Sequence, residues 1–428
     1  MHKIYFQTHG CSTNFSESEI MAGLLDEAGF KIVKNSKNAD IIILNVCTVK
    51  GETTGLREIR KLETIGKKLI IAGCITKDLI KELRDITQDA SLINTHNINN
   101  IVDVVEEVLQ GNTIEAVSFG DQKKLLLPRI RRNPVIGIVP ILSGCDRECS
   151  YCSVRLVKGK LKSYPMDNII EEVNYALNDN CKEIWVTSQD NASYGTEKIW
   201  RSSLPELLKE ILKIKQDFKI RIGMMNPDNL RPIMDEMIEI YNDDKVFKFL
   251  HLPVQSGNDE ILEKMNRKYS VQDFKAIIEK FKTEIPYLTF STDVIVGFPG
   301  ETDEQFNDTI ELIKELEPDV LNRSRFKSRK GTRAAKMENQ VQSNIVKDRS
   351  RILTDIFKNI SRLNNEKWMN WSGDILIDEK GKDDSWIGRN SSYKQVIVNG
   401  EYKLGEKAQV KVGNTTIFDL RAERAWNP

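Results

Sequence analysis

Residues 135–152 read VIGIVPILSGCDRECSYC. The first eight, VIGIVPIL, are mostly apolar and form a buried-strand candidate. Three cysteines follow closely, Cys145, Cys149 and Cys152, spaced C-x3-C-x2-C. A strand that runs straight into a thiol loop is the opening of a βα unit with chemistry at its C-terminal end. The same alternation continues outward. EIWVTS (183–188), FKIRIGM (218–224), VFKFLHL (246–252), LTFSTDVIVG (288–297) and DVLNRSRF (319–326) are further strand candidates. Amphipathic helices separate them, for instance PMDNIIEEVNYAL (165–177), with Pro165 in the first turn. Six βα units in series predict a barrel or part of one.

Upstream, short β runs also alternate with helices: IYF (4–6), KIV (31–33), DIIILNV (40–46) and KKLIIAG (67–73). This is a doubly wound, flavodoxin-like α/β pattern. Cys11, Cys47 and Cys74 each lie just past a predicted strand end. In an open parallel sheet those ends share one rim, so the three are expected to converge. The bland alternative is three separate core cysteines. Ser16 and Glu19 form a candidate capping box for the first helix. QKKLLLPRIRR (122–132) is a basic linker with interleaved apolar residues, and residues 344–368 form a charged helix. Beyond it, short runs such as GDILIDE, YKQVIVNG and KAQVKVG, divided by Gly, Asn and Lys, predict a small all-β barrel of oligonucleotide-binding style. The expected domains are 1–115, a linker 116–133, 134–368 and 369–428.

The 428 residues are 40% hydrophobic, and 63 basic side chains balance 63 acidic ones. Zero net charge argues against a nucleic-acid-coating protein but permits a local basic patch. The N-terminus lacks signal-peptide features, and no apolar run approaches the roughly 18 residues of a spanning helix. A cytoplasmic protein without membrane attachment is expected. Its seven cysteines then read as ligands or free thiols, not as a disulfide framework.

Three thiolates can hold three irons of a four-iron cluster and leave the fourth open. Structural zinc usually takes four ligands, often as C-x2-C pairs. The loop GCDRECSYC resembles that of radical S-adenosylmethionine enzymes, in which the cofactor's amine and carboxylate chelate the fourth iron and the cofactor is cleaved to a 5′-deoxyadenosyl radical. QTHGCSTNFSES, LNVCTV, IAGCIT, VTSQDNASYG, HLPVQSGND, TDVIVGFPGET and KGTRAAKM extend the resemblance to methylthiotransferases over nearly the whole chain. GCDRECSYCSVRLVKGKLKSYP and RIGMMNP are similar to the archaeal and eukaryotic branch, which acts on N6-threonylcarbamoyladenosine beside the tRNA anticodon. KGTR (330–333) departs from a common Pro-Gly-Thr-Pro.

The resemblance implies two 4Fe-4S clusters, one on Cys145, Cys149 and Cys152 and an auxiliary one on Cys11, Cys47 and Cys74. It also implies S-adenosylmethionine and a TRAM-like terminal barrel. Tyr151 is the aromatic expected beside the cofactor's adenine. Gln189, Asn226, His251 and Gln255, at strand ends, are candidate contacts to cofactor or substrate; His251 could equally be a satisfied core histidine. Val296 and Gly297 either line the adenine pocket or serve a turn needing glycine. Arg323, Arg325, Lys327, Arg329, Lys330 and Arg333 form an acid-free strip for RNA phosphates or for solvent. Trp386, Tyr393 and Phe418 could stack bases or fill a core. A monomer is expected, with electron donor and sulfur source unidentified. Two rivals stand beside this reading: a methylthiotransferase acting on a ribosomal protein, and a zinc-containing RNA-binding protein without catalysis.

Overall fold

The computed structural model describes residues 1–120, 123–199 and 201–425, with the side chains of 48–53, 77 and 199 excepted. Gln122, in the basic linker, and the last three residues of the expected terminal domain lie outside the described residues.

The N-terminal sheet contains β1 (Lys3–His9), β2 (Lys31–Val33), β3 (Ile41–Cys47), β4 (Lys68–Cys74), β5 (Ser91–Asn94) and β6 (Glu115–Ala116). All pair in parallel, in the order β2-β1-β3-β4-β5-β6. Alternate residues of β3 serve opposite faces. Ile41 and Ile43 pack with Ile20 and Leu25 of α1 (Ser12–Glu27). Ile42, Leu44 and Val46 pack with Leu56 and Ile59 of α2 (Thr48–Glu63). Helices on both faces make the domain doubly wound.

Two local readings are corrected. Cys47 and Cys74 are the last residues of their strands, not the first beyond them. The first helix begins at Ser12 with Cys11 as N-cap, and Cys11 and Asn14 form the capping box. Ser16 and Glu19 lie mid-helix and take other partners. Arg129 Nη1 donates to Ser16 Oγ at 2.9 Å, and the Arg132 N–H donates to Glu19 Oε1 at 3.0 Å.

Those partners belong to the linker, which is a packed strap. Its Pro128 and Arg129 backbone crosses α1 at Gly23, where an added Cβ would meet Pro128 at 2.3 Å. Leu127 packs on the N-terminal core and Leu125 on the next.

That next core lies in six βα units. The strands are β7 (Ile136–Pro140), β8 (Glu183–Thr187), β9 (Lys219–Ile222), β10 (Phe249–His251), β11 (Thr289–Val296) and β12 (Val320–Arg325). They form two parallel three-stranded sheets, joined by a parallel bridge between Ile220 and Val246. β7 and β12 do not pair, so the barrel is partial. Pro165 precedes the helix Met166–Asn178 as its N-cap, one position earlier than expected. The long helix Ser343–Glu366 packs Leu353 and Ile360 onto the barrel core.

The C-terminal strands β13 (Ser372–Lys380), β14 (Ser385–Arg389), β15 (Gln395–Asn399), β16 (Lys407–Thr415) and β17 (Leu420–Arg424) close into a five-stranded barrel. It docks on the N-terminal ends of the larger barrel's strands. Lys407 pairs with Asp217 at 2.7 Å, and the Lys248 N–H donates to Ser391 O at 2.8 Å. Tyr393 packs against Phe247 and Phe249, beneath Arg221. Tyr393 therefore joins a core, Phe418 is 78% exposed, and Trp386 is half-buried under Lys380.

Candidate functional site

The loop after β7 is held from several directions. The Ser150 N–H donates to Met265 O at 3.0 Å, and the Ala334 N–H donates to Ser150 O at 2.8 Å. Each of its three sulfurs accepts one N–H: Arg147 backbone to Cys145 at 3.4 Å, Val154 backbone to Cys152 at 3.5 Å, and Arg267 Nη1 to Cys149 at 3.5 Å. Such donors favour thiolate over thiol. Burial works the other way, pushing Cys145 up to about 12 and raising Cys152. A bound cation resolves that opposition, because it supplies the charge that desolvated thiolates lack.

Cys11, Cys47 and Cys74 meet at the rim where β1, β3 and β4 end. Cys47 and Cys74 are register partners on adjacent strands. The Cys11 thiol donates to Asn14 Oδ1 at 3.4 Å, while Asn14 Nδ2 reaches Cys74 Sγ at 3.9 Å and Asn45 Oδ1 at 3.0 Å. Hydrogen bonding with Cys11 and Cys74, then burial, pushes the Cys47 thiol far up. The Cys74 thiol is lowered, chiefly by its hydrogen bond with Cys47. Three thiols this close resist ionising together unless cationic metal stands among them. Both sets thus suit the soft, thiolate-bound irons of a four-iron cluster. Among the described residues, no group of three His, Cys, Asp or Glu side chains is set to hold a single metal ion.

A short helix links the sets. α3 (Lys77–Ile86) and α4 (Ile101–Gln110) belong to the first domain, and α5 (Val154–Lys158) starts two residues after Cys152. Val157 of α5 packs on Cys47 and Cys74, and its carbonyl meets His96 Nε2 at 2.8 Å. Ser12, beside Cys11, lies 2.5 Å from Thr187 at the end of β8. Beneath the second set, Glu17 takes ammoniums from Lys124 and Lys158, each at 2.7 Å. Burial raises its carboxyl, but the two ammoniums outweigh that and hold it at about 2.

The other candidate residues spread over the barrel's C-terminal face. Tyr151 is half-buried beside Ile261, Met265 and Phe298. Gln189 Oε1 is buried with no hydrogen-bond partner. Asn226 caps the turn 227–230 and donates its N–H to Asp190 Oδ1 at 2.9 Å. His251 Nε2 lies 3.1 Å from Asp293 Oδ1, and the Gln255 N–H donates to Asp293 O at 2.8 Å. Gly297 turns the chain at φ 77° after the buried Val296. In the basic strip, Arg323, Arg325, Lys327, Lys330 and Arg333 are exposed, while Arg329 is half-buried and donates to Tyr151 O at 3.3 Å. Arg333 donates to Glu148 O, so two of the strip's arginines also brace the cysteine loop.

Sequence reasoning missed Arg267, Asp190, Glu17, Lys124 and Lys158. Lys124 lay in the basic linker, and Glu17, Asp190 and Lys158 lay inside stretches that carry the resemblance, but none was marked by its local pattern as a site residue. Arg267 lies in none of those stretches.

An open parallel barrel with a three-cysteine loop after its first strand defines a radical S-adenosylmethionine protein, and residues 139–313 match the Radical SAM superfamily. Residues 3–94 match the Uncharacterized protein family UPF0004, and residues 373–424 match the TRAM domain. The chain belongs to the threonylcarbamoyladenosine tRNA methylthiotransferases. It is 40% identical over 433 residues to a probable threonylcarbamoyladenosine tRNA methylthiotransferase of Pyrococcus horikoshii, covering 99% of both chains. It is 36% identical over 411 residues to the human threonylcarbamoyladenosine tRNA methylthiotransferase, covering 93% of this chain and 69% of that one. In fold it is similar to a radical S-adenosylmethionine methyltransferase from Kitasatospora setae, solved with cobalamin and a [4Fe-4S] cluster bound. That match has a TM-score of 0.55 at 11% identity, over 78% of this chain and 77% of the other.

Proposed function

We propose that this protein converts N6-threonylcarbamoyladenosine, beside the anticodon of tRNA, to its 2-methylthio derivative. The observation that carries the reading is the link between two sets of three cysteines through α5. Each set would hold a 4Fe-4S cluster with one iron free of protein ligands. With S-adenosylmethionine bound, these groups supply the radical and sulfur chemistry that an inert aromatic C–H bond requires.

The protein's own residues bind and orient. Cys145, Cys149 and Cys152 hold the radical cluster, and Arg267 donates to one of its thiolates. Cys11, Cys47 and Cys74 hold the second cluster, in a frame fixed by Asn14 and Asn45. Tyr151, Gln189, Asn226, His251, Gln255, Val296 and Gly297 line the S-adenosylmethionine and substrate cleft. The unpaired Gln189 oxygen supports this, because a buried acceptor without a donor suits a ligand N–H or O–H. Arg323, Arg325, Lys327, Arg329, Lys330 and Arg333 receive anticodon stem-loop phosphates beside that cleft. In this reading the protein acts as a monomer. Among the described residues, no helix is long and apolar enough to cross a membrane.

The test is anaerobic iron and sulfide analysis of reconstituted wild type beside a Cys11/Cys47/Cys74→Ala variant, followed by incubation with bulk tRNA. The expected result is two cubanes falling to one, with 2-methylthio nucleoside made by wild type alone. Equal iron in both proteins would remove the second cluster. Iron loss in the variant without nucleoside product from wild type would remove the tRNA substrate.

A further inference from the structure

Three charged side chains from three separate segments meet under the second cysteine set. Glu17 comes from α1, Lys124 from the strap and Lys158 from the end of α5. Both ammoniums lie 2.7 Å from Glu17 Oε1. They also reach Thr95 Oγ1, at 2.8 Å from Lys124 and 2.7 Å from Lys158. All four side chains are nearly closed to water. Two ammoniums against one carboxylate leave one positive charge over. Of the nearby charges, Arg129 is already paired with Glu172 at 2.7 Å.

An uncompensated buried charge is strongly unfavourable, so a negative partner is called for. The cysteine set provides the place. Val157, adjacent to Lys158, packs on Cys47 and Cys74, and Lys158 interacts electrostatically with Cys74 and Cys11. A four-iron core carrying two positive charges, held by three thiolates, has one net negative charge. Cluster, carboxylate and two ammoniums then sum to zero.

We propose that Lys158 and Lys124 are the buried counter-charge of the cluster on Cys11, Cys47 and Cys74, and that they raise its reduction potential. This rests on the two-cluster reading above. Lys158 lies on the helix that leaves the radical-cluster loop. Docking the barrel onto the first domain therefore completes the electrostatics of the second site.

The test uses the full chain with Cys145, Cys149 and Cys152 changed to Ala, so that only the second cluster reports. Its midpoint potential is read by electron paramagnetic resonance during anaerobic reductive titration. Lys158→Met and Lys124→Met are each expected to shift it negative. A roughly tenfold change in the reduction equilibrium is expected, about 59 mV for one electron. Thr95→Val breaks hydrogen bonds in the same cluster without changing charge, and should leave the potential in place. Unmoved potentials in both lysine variants would overturn the proposal, as would an equal shift in Thr95→Val. If one lysine variant fails to load iron, the other decides by the same criterion. An iron-free parent would overturn the second cluster and its counter-charge together. An iron-loaded parent with unmoved lysine variants would overturn the counter-charge alone.

Discussion

Gly297 follows β11 at φ 77°, and an added Cβ would lie 2.3 Å from Val346 Cγ2. Its N–H donates to Glu301 Oε2 at 2.7 Å, and Arg349 holds that carboxylate at 2.9 Å. Backbone strain and contact with Val346 thus act on the same atom. Gly297→Ala is expected to lower stability by about 2–4 kcal/mol in a urea titration. Adding Val346→Ala should relieve the contact but leave the backbone strain, so recovery should be partial. At this scale Cys145, Cys149 and Cys152 were legible because their C-x3-C-x2-C spacing is local, and Cys11, Cys47 and Cys74 were legible because each follows a strand run that ends on one shared rim. Arg267 was not legible. Its role follows from reaching Cys149 across 118 residues of chain, and nothing near it in sequence marks that contact.

The strap shows how an element can be misread from composition. Its arginines look like a solvated basic linker, yet Arg129 and Glu172 form a fully buried ion pair at 2.7 Å. Glu172 also accepts the Leu126 N–H at 2.6 Å. Removing one partner strands the other charge. Arg129→Met alone is expected to destabilise by about 3–5 kcal/mol, and the double variant Arg129→Met/Glu172→Met should regain most of that. A double-mutant cycle by chemical denaturation measures both. The strand runs that were read match to within a few residues because their apolar periodicity is local, while the short β5 and β6 were not read. The helix start at Ser12 was missed because Ser16 and Glu19 fit a cap pattern, but the strap claims both side chains.

At the scale of the molecule, the terminal barrel closes the floor of the central one, opposite the cysteine loop. Glu183 lies at that junction, fully buried, with Asp378, Arg389 and Tyr393 around it and Arg221 near Tyr393. Burial, then Asp378, pushes its carboxyl up to about 7. The folded protein therefore holds a proton that the unfolded chain releases near 4.5. This group's effect is smallest below that value, and stability falls as pH rises toward 7. Glu183→Gln should flatten that fall and add about 1–3 kcal/mol at alkaline pH, read by urea titration across pH. The basic strip lies on the other face. Arg325→Ala with Lys330→Ala is expected to weaken anticodon stem-loop binding and reduce the log–log salt slope by about 2, measured by fluorescence anisotropy.

The sequence alone determined the three-part architecture and the close C-x3-C-x2-C loop, because strand periodicity and short spacings are properties of neighbouring residues, and it put Cys11, Cys47 and Cys74 at strand ends that share one rim. Tertiary structure alone decided that α5 spans the two cysteine sets and that the terminal barrel sits under the floor. It also decided that Lys124 and Lys158 meet Glu17 across 107 and 141 residues. Those outcomes depend on which buried charges and apolar faces find partners, and the partners lie on segments far apart in the chain.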